Sequence, residues 1–389
     1  MLLTAVVLTA LLTDAASVPW WNNAFYYRVL VDSFKDMDGD GLGDLQGVTK
    51  QLSYVRALGA DAVILSSISS KSMDCLKPGT MDFAQIDERY GNEDQFKNVI
   101  EKAKKLELKV LVTLELQTIS ECSELFNFSA ERKTGFENKI IWTEGSVDEP
   151  PTTSKDNESH VATRRGSDMV DTITILALTL PGATIIQQGD ELGTVDTLLE
   201  WAQTSKCWPL QEVPSAAPFP WDDSPTASFS TGEPWLPLPP NYRYANAKTE
   251  YAIDVSHFSI VRVAAAMRKS SILGPHVEIK RMGDTLTVLR WGGSGTLLCT
   301  SNLGRGHSEV QLSRIPGLPG EMTATLTSAG SNFSPGTNVN IEKTIKLGPG
   351  ETVIFIGAPR HCGGPGPVDK IANKLSEGWQ KINKYFSNL

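Results

Sequence analysis

Nowhere does the chain hold an uninterrupted apolar stretch of about 20 residues, the length a membrane-crossing helix needs. Nor does it carry an excess of positive charge. Against 36 Lys and Arg stand 45 Asp and Glu, a net charge of -9, which argues against a nucleic-acid partner. Cysteine is scarce, with Cys75, Cys122, Cys207, Cys299 and Cys362 the five present. None sits in a C-x-x-C pair, which removes a zinc ribbon. Charged residues make up only 21% and hydrophobic ones 40%, a composition that excludes disorder and suits a globular protein. The 389 residues are enough for about two domains.

At the N-terminus, MLLTAVVLTALLTDAASVPWW has an apolar run, Leu2 to Leu12, that is too short to span a bilayer. Ala15, Ala16 and Ser17 then offer small residues for cleavage. The pattern predicts a secretory signal peptide over 1–17, although no Lys or Arg precedes the run. The other reading is a buried N-terminal helix. Three N-x-S sequons, at Asn127, Asn157 and Asn332, agree with secretion and mark candidate glycosylation sites. A secreted chain could form one or two disulfides and leave at least one thiol over; sequence does not assign the pairs.

Four β-branched or aliphatic runs read as buried parallel strands: Phe25–Val31, Ala62–Ser66, Lys109–Leu116 and Ala183–Ile186. Helical spacing over Val48–Leu58 and Asp94–Leu106 separates the first three, the latter opening on acids and closing on lysines as the helix dipole favours. The resulting β-α-β-α-β order is that of a parallel α/β architecture. Residues from Glu144 to Ser159 are polar and Pro-bearing, loop-like in character. A helix over Ser167–Leu180 leads into the fourth strand. Cys207 to Tyr244, rich in Pro, Trp and Ser, reads as a long irregular excursion, followed by a helix over Ser256–Lys269. From Gly274 to Gly357 short alternating segments predict an antiparallel β-sandwich. Past the CGGPGP linker, Val368, Ile371, Leu375, Trp379, Ile382, Phe386 and Leu389 fall on one helical face. That tail reads as a helix packing on its own domain, or as one docking on a membrane or partner.

The stretch KDMDGDGLGDLQG places Asp36, Asp38, Asp40 and Asp44 in one glycine-rich turn. An EF-hand is excluded, because counting from Asp36 puts Gly47 where a bidentate acid is required, and because a strand precedes the turn. Oxygen donors at this density still suit a hard cation, Ca2+ or Mg2+, held by the four aspartates and the carbonyl of Leu42. The plain alternative is a solvated acidic loop.

With these residues in hand, PWWNNAFYYRVLVDSFKDMDGDGLGDLQG resembles the opening of the maltases of glycoside hydrolase family 13, the α-amylase family, insect secreted maltases above all. In that family a D-x-[DN]-x-D-x-[IL]-x-D turn after the first barrel strand holds a cation. The resemblance continues through QIDERYGNEDQFKNVIEKAKKLELKVLV, FENKIIWTEG, VATRRG, LTLPGATIIQQGDELG, PFPWDDSPTASFS and WLPLPPNY, in the family's order. It implies an incomplete (β/α)8 TIM-type barrel over 18–272, a C-terminal antiparallel β-sandwich over 273–358, and a linker with an amphipathic helix over 359–389.

The family's catalytic acids have no counterpart. No G-F-R-x-D nucleophile motif occurs, and Gly135-Phe136 continues as Glu137-Asn138. Between IIWTEG and VATRRG there is no room for strands four to seven, so nucleophile and general acid are deleted rather than substituted. Aligning VATR places the family's N-H-D over Lys155, Asp156 and Asn157, and at the third strand its D-x-x-P-N-H falls over Thr113, Leu116, Gln117 and Thr118. Of the substrate-contacting Tyr-Asp only Asp82 survives, beside Met81. The expectation is therefore a secreted α-glucosidase-like protein linked to carbohydrate metabolism that has lost catalysis. Its partners would be α-glucosides or other carbohydrate, or a protein covering the open barrel. Two alternatives stand: a scaffold subunit resembling the heavy chains of amino-acid transporters, with Cys75 or Cys362 bridging to a partner, and an active α-glucosidase whose acids have moved to Glu115, Asp156, Asp190 or Glu191.

Overall fold

The computed structural model describes residues 19–72, 79–114, 120, 123, 159–201 and 213–360. The signal-peptide, Asn127, Asn157, Glu115 and Asp156 expectations lie outside the described residues, as do those for the C-terminal helix and for every cysteine except Cys299. Among the described residues no helix is long and apolar enough to cross a membrane.

Strand β1 (Phe25–Val29) is shorter than the sequence pattern suggested, because Val31–Phe34 turns into a four-residue helix, α1. The turn is held by Ser66 Oγ, which accepts the Val31 N–H at 2.9 Å. After the acidic stretch comes α2 (Leu45–Ala57), capped by Asp44. Its buried Leu45, Val48, Leu52 and Val55 recur at helical spacing and face the sheet. Strand β2 (Ala62–Leu65) is buried throughout. A small antiparallel pair, β3 (Ser69–Lys71) and β4 (Thr80–Ile86), follows it. Helix α3 (Glu93–Lys105) starts at a reciprocal Asn92–Gln95 capping box and ends in Lys102, Lys104 and Lys105, so caps and charges agree on both ends. It feeds β5 (Lys109–Val112).

The next described elements are α4 (Val161–Arg165) and α5 (Val170–Thr179). Helix α5 starts later than its spacing implied, since Gly166 at φ +97° and a short 3-10 turn over Ser167–Met169 precede it. Strand β6 (Thr184–Gln187) then returns to the sheet. It pairs in parallel with β1, Tyr26 opposite Ile185, and the sheet order is β5-β2-β1-β6. In a (β/α)8 barrel that lacks strands four to seven, the eighth strand is left beside the first and the third is left at the far edge. The parallel sheet has that form: four strands among the described residues, and an arc rather than a closed barrel.

Residues 213–246 remain irregular, yet they are pinned to the sheet's C-terminal side. Trp221 Nε1 donates to the Phe34 carbonyl at 2.7 Å, and Phe34, Tyr54, Phe219 and Trp221 pack ring against ring at 4.4–5.6 Å. Helices α6 (Ala247–Ala252) and α7 (His257–Arg268) complete the layer, Ser256 capping the latter. Eight strands follow: β7 (His276–Met282), β8 (Thr285–Trp291), β9 (Thr296–Asn302), β10 (Ser308–Gln311), β11 (Glu321–Thr327), β12 (Asn338–Asn340), β13 (Thr344–Leu347) and β14 (Thr352–Gly357). Six form one antiparallel sheet in the order β12-β11-β14-β9-β8-β7, faced by the pair β10-β13. Leu298, Val310, Ile345, Val353 and Phe355 fill the space between the sheets, which makes the unit a sandwich. The large sheet's other side sends Val288, Leu297, Cys299 and Ile354 into the same core as α5, α7 and β1.

Candidate functional site

The acidic turn leaves α1 and wraps around its own backbone. Asp36, 2% exposed, accepts N–H bonds from Gly39 at 2.7 Å and Gly41 at 2.8 Å, and the Ser230 hydroxyl at 2.6 Å. Asp38 accepts from the Asp40 N–H at 3.2 Å, and Asp40 from the Leu42 N–H at 2.7 Å. The turn needs glycine at position 41, where φ is +94° and a Cβ would strike the Glu233 carbonyl. One carboxylate oxygen each from buried Asp36 and from exposed Asp38 and Asp40 lies within 4.8 Å of the others.

Asp44 stands apart from that group. Its Oδ1 accepts the Gly47 N–H at 2.7 Å as the cap of α2, and its Oδ2 accepts the Met37 N–H at 2.7 Å. Burial pushes its carboxyl up from the usual range; the two N–H bonds oppose this, while Asp38 and Asp36 add to it. The ammonium of Lys35 does not sit among the acids. It donates to the carbonyls of Asp36, Ser228 and Phe229 at 2.9–3.0 Å. Leu42 is 1% exposed, and no described residue donates to its carbonyl. Carboxylate oxygens gathered this closely, beside a carbonyl that no described residue engages, are the donor set that fits a hard cation. A cavity of about 320 Å³ lies alongside, lined in part by Asp38, Asp44, Glu88 and Tyr90.

Asp82 is elsewhere, exposed on β4, where its Oδ1 accepts the Ala84 N–H at 2.8 Å. Nothing described brings it together with the acidic turn. Asn332 is exposed in the sandwich, where its backbone N–H and its Nδ2 donate to Glu351 at 2.9 and 3.2 Å. Cys299 is buried within β9, and burial pushes its thiol up to about 12, an inert group.

At the C-terminal rim of the sheet the described acids are engaged by neighbours. Glu191, fully buried, accepts the Tyr27 hydroxyl at 2.6 Å, the Tyr54 hydroxyl at 2.7 Å and the Gly189 N–H at 2.8 Å. Burial lifts its carboxyl to about 7, with the tyrosines holding it back. Asp190 binds His160 Nδ1 at 3.0 Å and the Val161 N–H at 3.1 Å. Asp32, also buried, takes the Tyr90 hydroxyl at 2.6 Å on Oδ1, and its Oδ2 has no hydrogen-bond partner. Asp32, Tyr90, His160 and the two tyrosines on Glu191 escaped sequence reasoning. No motif marks them; only the odd polar residue in a buried strand, such as Tyr27, hinted at a partner.

The sequence model described as the catalytic domain of alpha amylase matches residues 28–160 and 151–274. The two matched pieces meet at 151–160, between β5 and β6. Maltase A2 of Drosophila melanogaster is 33% identical over 134 residues, 34% of this chain and 24% of that protein. Salivary alpha-glucosidase of Aedes aegypti is 34% identical over 148 residues, 38% of this chain and 25% of that protein. The chain's match thus spans about a quarter of the length of these relatives. Among solved structures, trehalose-6-phosphate hydrolase of Bacillus licheniformis superposes with a TM-score of 0.71 at 15% identity, covering 88% of this chain and 100% of that one. Trehalulose synthase from Pseudomonas mesoacidophila gives 0.68 at 17% identity, covering 87% and 99%.

Proposed function

Because this chain belongs to the alpha-amylase family, we propose that it is a secreted, maltase-like protein that keeps the family scaffold without its turnover. It acts by holding an α-glucoside or a partner rather than by cleaving one. The observation that carries this reading is the direct pairing of β6 with β1 in a four-stranded arc. The strands from which a barrel would present a central pair of acids are not among the described strands of that arc. Retaining hydrolysis needs two carboxyl groups about 5–5.5 Å apart, one as nucleophile and one as acid. Of the relocated candidates, Asp190 is bound to His160 and Glu191 is sealed beneath two tyrosines. Neither is free to attack a sugar. The barrier to be lowered is about 8–23 kcal/mol, beyond what sugar contacts alone supply.

Asp36, Asp38, Asp40 and the Leu42 carbonyl would hold Ca2+ or Mg2+, with Asp44 joining if it swings from its cap. The ion would supply charge neutralisation to the turn, not chemistry to a substrate. Secretion is supported by the apolar leader, by exposed Asn332 in a sequon, and by relatives whose names place them in saliva. A partner that covers the open arc belongs to the same reading.

The test is the pure protein from its native source with maltose and sucrose. No hydrolysis above buffer, together with measurable maltose binding by calorimetry, is the expected result. Turnover that is lost on Asp156→Ala would overturn it.

A further inference from the structure

Four parallel strands are half the number at which a (β/α)8 barrel closes, and among the described residues no further strand pairs with either outer strand of this arc. On β5, Lys109 and Thr113 donate inward to Asp61 and Leu65, which turns the N–H groups of Val110 and Val112 outward. On β6, Thr184 and Gln188 donate inward to Ala24 and Arg28, which turns Ile185 and Gln187 outward. No described residue accepts from any of the four outward groups. Phe25, Tyr27, Val29, Val63 and Leu65 pack on the helices. The opposite face, the interior of a closed barrel, buries Ala24, Tyr26, Ala62 and Ile64 at its centre and leaves Ile185 51% and Leu111 37% exposed on the two edges. Open edges flanking exposed apolar side chains invite pairing.

The stretch of chain between β5 and β6 is too short to supply four further βα units. Eight βα units take about 250 residues, so four take roughly 125. Only residues 115–158 lie between β5 and the helix that leads to β6.

We propose that a second copy of this chain completes the barrel. A two-fold axis along the barrel axis sets β5 of each copy beside β6 of the other. Rotation about that axis preserves strand direction, so both new pairings are parallel, like the three already present in each copy. The two seams are equivalent and the ring closes at eight strands, with no edge left. Leu111 and Ile185 meet at each seam and leave water. This inference rests on the chain being an open-barrel family member, not on its binding a sugar.

Light scattering on the eluting full-length protein, over a wide concentration range, gives the mass, and hydrogen exchange on the same sample reads the edges. The expected result is twice the chain mass, with slow exchange at Val110, Val112, Ile185 and Gln187. Ile185→Lys and Val112→Pro, the latter removing an outward N–H that the chain itself does not use, should each weaken the dimer by roughly tenfold or more. Protected β2 amides would verify that each variant folds. One chain mass at all concentrations overturns the proposal. So does a dimer whose edge amides exchange freely, or one unmoved by both variants, or a native complex with a different polypeptide. A monomer without sugar turnover removes only this proposal; a monomer that hydrolyses maltose removes the preceding reading as well.

Discussion

Glu191 is a carboxyl that the fold keeps from water, and its two tyrosine donors offset only part of that cost. Its pKa rises from 4.5 in the unfolded chain to about 7. The folded state therefore binds the extra proton between those values. Stability from this group is fully present below pH 4.5 and is lost as pH rises through 7, a change on the order of 3 kcal/mol. Urea titrations across this window should show the decline in wild type and a flatter profile in Glu191→Gln. An unchanged slope in the variant would mean that another group is responsible. At the acidic turn, oxygens of Asp36, Asp38 and Asp40 lie within 4.8 Å of one another. Adding Ca2+ or Mg2+ should raise Tm, and Asp38→Ala should abolish the rise. If neither ion moves Tm in wild type, the turn is only a solvated loop.

At the scale of elements, Asp44 joins the acidic turn to α2, because one carboxylate closes the turn and starts the helix. Asp44→Ala removes a cap and the Met37 bond together, and should cost about 1–2 kcal/mol in a denaturant midpoint measured without metal. Asp44→Asn keeps an accepting oxygen and should cost much less. Equal losses in the two would place the stabilisation in the charge instead of the cap. This dual use explains what was legible beforehand. The spacing of the aspartates announced a turn, and helical periodicity announced α2, but the backbone N–H that each carboxylate accepts depends on φ at Gly39 and Gly41. Strand positions were readable from apolar runs; their ends were not. Val31 is as β-prone as Val29, and the partners that hold the turn there, Ser66 on the Val31 N–H and Gln188 on the Leu30 N–H, are distant in sequence. The tyrosine–glutamate contacts at Tyr27 and Tyr54 span more than 130 residues of chain, and no local pattern encodes such a meeting.

In the molecule as a whole, barrel arc and sandwich are joined by more than apolar contact. Arg290 of β8, 4% exposed, donates to the Thr179 carbonyl at the end of α5 at 3.1 Å. Asp171 on α5 binds His257 Nδ1 at 2.6 Å with one oxygen and the Ala329 N–H of the sandwich at 2.7 Å with the other. Burial alone would lower the pKa of His257, but the hydrogen bond and charge of Asp171, with Glu250 behind, raise it. His160 is raised likewise by Asp190, Asp196 and Glu191. Each histidine therefore contributes stability that is full below about pH 6.5 and is lost as pH rises through its folded value. Asp87, which Arg89 holds below the usual range against burial, runs the other way and loses its contribution under acid. Glu191 and the two histidines thus make their contributions fall as pH rises through neutrality, while that of Asp87 falls in acid. Since Val288, Leu297 and Ile354 of the sandwich share one core with α5 and α7, heat should unfold both units in one calorimetric transition. Leu297→Ala, cutting into that shared core, should cost about 2–5 kcal/mol and lower the single transition as a unit. Two resolved transitions, only one of them displaced by the substitution, would instead mean that the sandwich folds on its own and the arc merely leans against it.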